Sequence, residues 1–165
     1  MTMSQDQADL VKKAKRRVMQ DYMARWPLFM SKAVIDEFGD KGWAVIEGVA
    51  KRIGRERAQL LKDALEIDVN DARSLGKVFD FEDGMNGVSG EWVESGKKRA
   101  VKRETKCAAA EIFKDFPNYC GRLMCTLARA TIEELNPKAT LNDFSQGKLL
   151  AKGDHHCEVC VTIRD

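Results

Sequence analysis

Five cysteines and two histidines are the residues of this 165-residue chain whose types could do chemistry. Both histidines and two of the cysteines fall in one stretch, Gly153-Asp154-His155-His156-Cys157-Glu158-Val159-Cys160. Cys157, Val159, Val161 and Ile163 alternate with Glu158, Cys160, Thr162 and Arg164, the period of a half-buried strand. Gly153-Asp154 reads as the turn into it. The inward face would carry Cys157 and three β-branched residues, with Cys160 pointing the other way. Cys157-x-x-Cys160 beside two histidines also invites a metal reading. That reading lacks a second short-spaced pair, because Cys120 and Cys125 lie five apart on a helix. Three residues along a strand also put the two sulfurs on opposite faces, so no metal site is expected.

Cys107 falls where a helix is expected to begin. There the unpaired N–H groups, the helix dipole and the neighbouring Lys106 would favour a thiolate, the setting of an activated nucleophile. The alternative is a small apolar residue tucked at a helix start. Cys120 lies within an apolar stripe and reads as packing. Cys125 sits at the edge of that stripe, where it could line a cavity. His155 and His156 could move a proton or simply be solvated turn residues. Cys107, Cys125 and Cys157, met at one wall, would form a small-molecule pocket.

The elements that would position these groups follow from periodicity. A helix is expected over about 6–25, from Leu10, Ala14, Val18 and Tyr22, broken at Trp26-Pro27. A second, opened by Pro27, runs to about Phe38. After Gly39-Asp40 a third carries Trp43, Ile46, Val49, Ala50 and Ile53, is interrupted or bent at Gly54, and continues through Leu65. Asn70-Asp71 could cap a short one. Residues 81–87 read as an acidic, glycine-rich loop. Strands over about 88–94 and 98–106 would flank a hairpin turn at Glu94-Ser95-Gly96-Lys97. Two helices follow, split by Pro117, and then strands over about 139–150 and through Cys157–Ile163. The expected fold is α+β: a helical part over 1–80, then a β-β-α-α-β-β part over 85–165 with helices on one face of an antiparallel sheet, together a single domain holding the ligand pocket.

Composition narrows the function classes. A net charge of +2, with 44% hydrophobic and 33% charged residues, describes an ordinary globular chain. It gives no reason to expect nucleic acid. The clusters Lys12-Lys13-Lys15-Arg16-Arg17 and Lys97-Lys98-Arg99 read as solvated faces. No apolar run approaches the roughly 18 residues of a membrane span, and the polar start lacks a signal-peptide core. A cytoplasmic protein with reduced thiols is expected. No cofactor is implied, the partner would be a small-molecule substrate or ligand, and a homo-oligomer stays open.

Thr105-Lys106-Cys107, Cys125 on a helix, Leu135-Asn136-Pro137-Lys138 and Gly153-x-x-x-Cys157-Glu158 together resemble the L-2-amino-thiazoline-4-carboxylic acid hydrolase family, over roughly residues 100–165. The resemblance implies hydrolytic opening of a cyclic isothiourea to a carbamoyl-cysteine. It places Cys107, Cys125, Cys157 and the acidic Glu158 at the family's positions. A cysteine nucleophile attacking the amidine-like carbon is chemically sensible, with His155 or His156 as proton carrier. The chain departs from the pattern at Ala128, where the family has Asp, and at Asn142-Asp143 and Cys160, where it has Arg. The ending also resembles small-molecule-binding domains of the 4-vinyl reductase type, which implies a sensor or binding module. On that reading the same cysteines make soft contacts to a ligand or to a thiophilic metal.

Overall fold

A computed structural model describes residues 4–164. The chain opens with one unbroken helical rod: α1 (Gln5–Gln20), a π turn (Asp21–Arg25) and α2 (Trp26–Phe38). Ser4 caps it by accepting from the Gln7 N–H at 3.3 Å. The expected break at Trp26-Pro27 does not occur. Pro27 falls in the first turn of α2, where the missing N–H removes little, and the wider π turn just before it relaxes the ladder. Gly39, at φ 55°, reverses the chain into α3 (Asp40–Leu65).

α3 runs straight through Gly54, which is no bend. A Cβ there would lie 2.4 Å from the Leu127 carbonyl oxygen, so this glycine lets α3 close directly on α7 (Cys125–Leu135). Asp71 caps α4 (Ala72–Leu75) by accepting from the Ser74 N–H. α5 (Lys77–Asn86) then takes up most of the stretch expected as a loop. Burial of Val78 and Phe79 and ion pairs of its acids to the sheet hold it helical, and Gly87 at φ 64° ends it.

Strands β1 (Val88–Ser95) and β2 (Arg99–Cys107) form the expected hairpin. One-turn α6 (Ala110–Phe113), a second π turn (Tyr119–Met124) and α7 follow. β3 is only Ala139–Leu141, far shorter than expected. Asn142 ends it: its side chain bonds the Cys160 N–H and the Glu158 carbonyl, and the chain then folds into turns and a 3-10 segment (Leu150–Lys152). β4 (Cys157–Ile163) alternates as expected, with Val159, Val161 and Ile163 buried. The sheet is antiparallel in the order β1-β2-β4-β3. The architecture is α+β, a helical first half followed by sheet and helices.

Two apolar cores result. One joins α3, α4, α5 and α7 to the inner sheet face through Leu61, Leu75, Val78, Ile132 and Val161. The other joins the rod to the α6 region through Leu28, Phe113, Tyr119 and Leu123. Among the described residues no helix is long and apolar enough to cross a membrane.

Candidate functional site

The inner face of β2 carries Ala100, Lys102 and Glu104, which sit opposite Val161, Val159 and Cys157 of β4. Alternation along a strand puts these three on one face, so a lysine and a glutamate lie within an otherwise apolar layer. Lys102 is only 3% exposed. Its Nζ donates to Asp80 at 2.7 Å and also to Asp83, both on α5. Asp80 further accepts from the Trp92 indole at 2.9 Å and pairs with Arg73. Nearby, Arg57 of α3 pairs with Glu82 at 2.6 Å and donates to the Thr131 hydroxyl of α7 at 3.0 Å.

Three cations thus meet three carboxylates, and Glu104 is a fourth acid with no ion pair of its own among the described residues. Burial, reinforced by Asp83, pushes its pKa up to about 7 against the pull of Lys102. A carboxylic acid titrating near neutrality is what a general acid–base needs. Burial also raises Glu82 and Asp83. Burial would lower Lys102, but its hydrogen bonds to Asp80 and Asp83 outweigh that and hold it up, charged. Asp80 is lowered: burial opposes, and Lys102 and Trp92 prevail.

Beside Glu104 stand three thiols. Cys107 bears on the ionisation of Cys157, Cys107 and Cys157 both bear on that of Cys120, and Glu104 bears on all three. Cys107 closes β2 and does not open a helix. Its sulfur still accepts the Ala109 and Ala110 N–H groups that begin α6, yet burial outweighs them and raises its pKa. The thiolate expected from a helix start is therefore not formed spontaneously at neutral pH. Burial pushes Cys157 up to about 11, although its sulfur accepts the Leu150 N–H at 3.3 Å. Cys120, within the second π turn, is raised most strongly, again by burial. Its side chain packs against the second core.

The remaining candidates are dispersed. Cys125 is engaged apart from these thiols: it donates to the Asn142 carbonyl at 3.4 Å and accepts from Arg129 at 3.4 Å, and burial raises it too. Glu158 lies on the opposite face of β4 from Cys157, against Arg103 at 3.4 Å. His155 is exposed in the turn. His156 is half-buried, and its Nε2 is enclosed without a hydrogen-bond partner among the described residues. Cys160 approaches the Thr162 hydroxyl at 3.7 Å. Among the described residues no three metal-ligating side chains are placed to hold an ion.

Glu104 and the role of Cys120 went unread in the sequence. Arg103-Glu104-Thr105-Lys106 looks like a solvated run. The available signal was the phase of Ala100-x-Lys102-x-Glu104 against the apolar strand opposite. Open concavities lie elsewhere: a cavity of about 250 Å³ between α2 and α6, lined by Arg25, Phe29, Lys32, Glu111 and Phe116, and a wider one of about 400 Å³ on the outer sheet face at Arg103 and Glu158.

No curated protein matches the chain. Among solved structures, trafficking protein particle complex subunit 3 from Naegleria fowleri, covalently bound to palmitic acid, superposes with a TM-score of 0.63 at 10% identity, over 90% of this chain and 97% of that one. At that identity the likeness is one of fold. The model of the L-2-amino-thiazoline-4-carboxylic acid hydrolase family matches residues 16–161. With the match spanning most of the chain, from the rod through the last strand, this protein belongs to the L-2-amino-thiazoline-4-carboxylic acid hydrolase family.

Proposed function

We propose that the chain hydrolyses 2-aminothiazoline-4-carboxylate or a related cyclic C–N/C–S compound. The reading assigns a thiol of the Cys107/Cys157 pair as nucleophile and Glu104 as the group that activates it. The observation that carries this is Glu104 itself: a half-buried carboxyl whose pKa desolvation pushes up to about 7, paired opposite Cys157 on the neighbouring strand and bearing on Cys107. Thiols raised by burial need a base to deprotonate them, and Glu104 is placed to be that base.

The steps balance as follows. Glu104 takes the thiol proton while Sγ bonds to the ring carbon flanked by nitrogen and sulfur. The ring C–S bond then breaks, and the proton on Glu104 passes to the leaving sulfur. Water, deprotonated in turn by Glu104, adds to the same carbon; its remaining proton passes to the imine nitrogen as the C=O bond forms, and the enzyme sulfur leaves and takes the proton held by Glu104. The product is an open-chain carbamoyl thiol. His156 lies next in the chain to Cys157, and its enclosed Nε2 serves as a second proton carrier. Cys125 and Glu158, which the family pattern also marks, support the strand positions through Asn142 and Arg103.

Turnover of 2-aminothiazoline-4-carboxylate tests the reading. Glu104→Gln and Cys157→Ser, each folded by circular dichroism, are expected to lose at least about a hundredfold in rate. Undiminished turnover in Glu104→Gln would discard it.

A second reading is a binding module without catalysis. It draws on the Naegleria protein of the same fold, which is covalently bound to palmitic acid, and on the apolar second core that Cys120 adjoins. Intact mass of the purified chain distinguishes the two, since an acyl adduct on a cysteine favours binding.

A further inference from the structure

The helical rod carries a feature that hydrolysis does not use. Leu10, Val18, Tyr22, Trp26, Met30 and Phe38 are all exposed, Tyr22 at 72% and Trp26 at 66%. With the smaller Ala14 and the half-buried Val34 they fall on every fourth residue; the π turn keeps Val18, Tyr22, Trp26 and Met30 on one face opposite Ala24, and toward Leu10 and Phe38 the row winds away by about 40° per step. The body of the protein covers the other side through Ala24, Leu28 and Ser31. α1 packs closely only on the π turn that follows it, and none of its described side chains is buried. A sixteen-residue helix with no tertiary cover is marginal in water. Its apolar side is therefore a surface awaiting a partner.

The stripe is a palindrome about Ala24. Leu10 stands as far before it as Phe38 stands after, Val18 mirrors Met30, Met19 mirrors Phe29, and Tyr22 mirrors Trp26. Charge follows the opposite rule. The first half of the rod bears exposed Lys12, Lys13, Lys15 and Arg17 after Asp6 and Asp9, and the far end bears Asp36, which pairs with Lys32, and Glu37, with Asp40 and Lys41 next. Lys12 mirrors Asp36.

We propose that two copies of this chain pair through this rod, antiparallel about a two-fold axis at Ala24. In that register Val18, Tyr22, Trp26 and Met30 of one copy meet Met30, Trp26, Tyr22 and Val18 of the other, and Lys12 of each copy comes opposite Asp36 of its partner. A two-fold interface must be self-complementary in this way. The exposed side chains offer on the order of 1,000 Å² per copy, against the roughly 800 Å² per partner of a standard interface. An anionic membrane would accept the basic half but would face Asp36, Glu37 and Asp40 at the other end. A second copy turned end for end satisfies both.

Light scattering on the eluting full chain tests this, between about 1 and 50 μM at physiological salt. The expected result is a dimer. Trp26→Asp should weaken it at least about thirtyfold with an unchanged circular dichroism spectrum, and Met30→Glu gives an independent check should the first variant misfold. Register is read by disulfide trapping. Val18→Cys with Met30→Cys should cross-link copies rapidly, and neither single variant should. Charge is read by mixing: Lys12→Glu/Lys13→Glu and Asp36→Lys/Glu37→Lys should each dimerise poorly alone and well together. A wild-type monomer at 50 μM overturns the proposal, as does a dimer indifferent to Trp26→Asp or cross-linking equally through either single cysteine. A monomer that binds phosphatidylserine vesicles through the stripe would assign the surface to a membrane instead.

Discussion

The inner face of the sheet and the N-terminal rod invert the usual distribution of side chains in opposite senses. The sheet face buries Lys102, Glu104 and a ring of partner charges, whereas the rod leaves tryptophan, tyrosine, phenylalanine and methionine in water. Each inversion costs folding free energy, through desolvation of charge in one place and unburied apolar surface in the other. They differ in what could offset that cost. Charges around Lys102 are matched within the chain, and Glu104 alone stands without an ion pair among the described residues. On the rod no described residue of the chain covers the exposed apolar side chains. A group whose balance closes internally points to chemistry, and one whose balance stays open points to association.

Removing one partner from the enclosed side should do the most damage. Lys102→Met would leave the half-buried Asp83 without a cation, while Asp80 keeps Arg73 and Trp92, and urea unfolding should show a loss of about 3 kcal/mol. Glu104→Gln should act in the other direction, by an amount that grows as pH rises from 4.5 to about 7. The folded carboxyl holds its proton to about 7, above the ordinary 4.5. Its favourable contribution is therefore complete below pH 4.5 and is lost as pH rises through 7. The amide should make the protein up to about 3 kcal/mol more stable at pH 8 and leave it unchanged at pH 4, read as a pair of melting curves.

Gly54→Ala tests the seam that carries the enclosed side. The added methyl would meet the Leu127 carbonyl oxygen at 2.4 Å and the Ala130 Cβ at 2.9 Å, and should cost about 1–3 kcal/mol. The smallest effect belongs to the rod. Leu10→Gln, placed in a Trp26→Asp background so that self-association does not enter, should change stability by less than about 0.5 kcal/mol. A larger loss would mean that Leu10 is covered by its own chain, and the contrast between the two regions would fail.

Much of the fold was legible because its signals are local. The period of two in Val159, Val161 and Ile163 located β4, and Gly96-Lys97 located the hairpin. Helix α5 was misread because Gly84 and three acids look like a loop until the sheet supplies Lys102 as partner, a contact across nineteen residues. The strand expected over 139–150 failed for a related reason. Asn142 is the residue that ends β3, and it does so by reaching across to Cys160 and Glu158. In the site, Cys107 and Cys157 were found by type. Glu104 became visible only through its register against Cys157, a long-range pairing that residue type does not encode. Cys120 looked like packing, and it does pack, but at the edge where the other two thiols arrive.

The π turn at Asp21–Arg25 works as a phase shifter. A wide turn is equivalent to one residue inserted into an ordinary helix. Deleting a single residue there would leave the chain helical, yet it would spin everything before it by about 100° relative to the body. The arm would then aim its valine and leucine at a different horizon while the sheet and its helices stayed intact. Length polymorphism at this one turn is thus a route by which relatives could change companions without touching their chemistry.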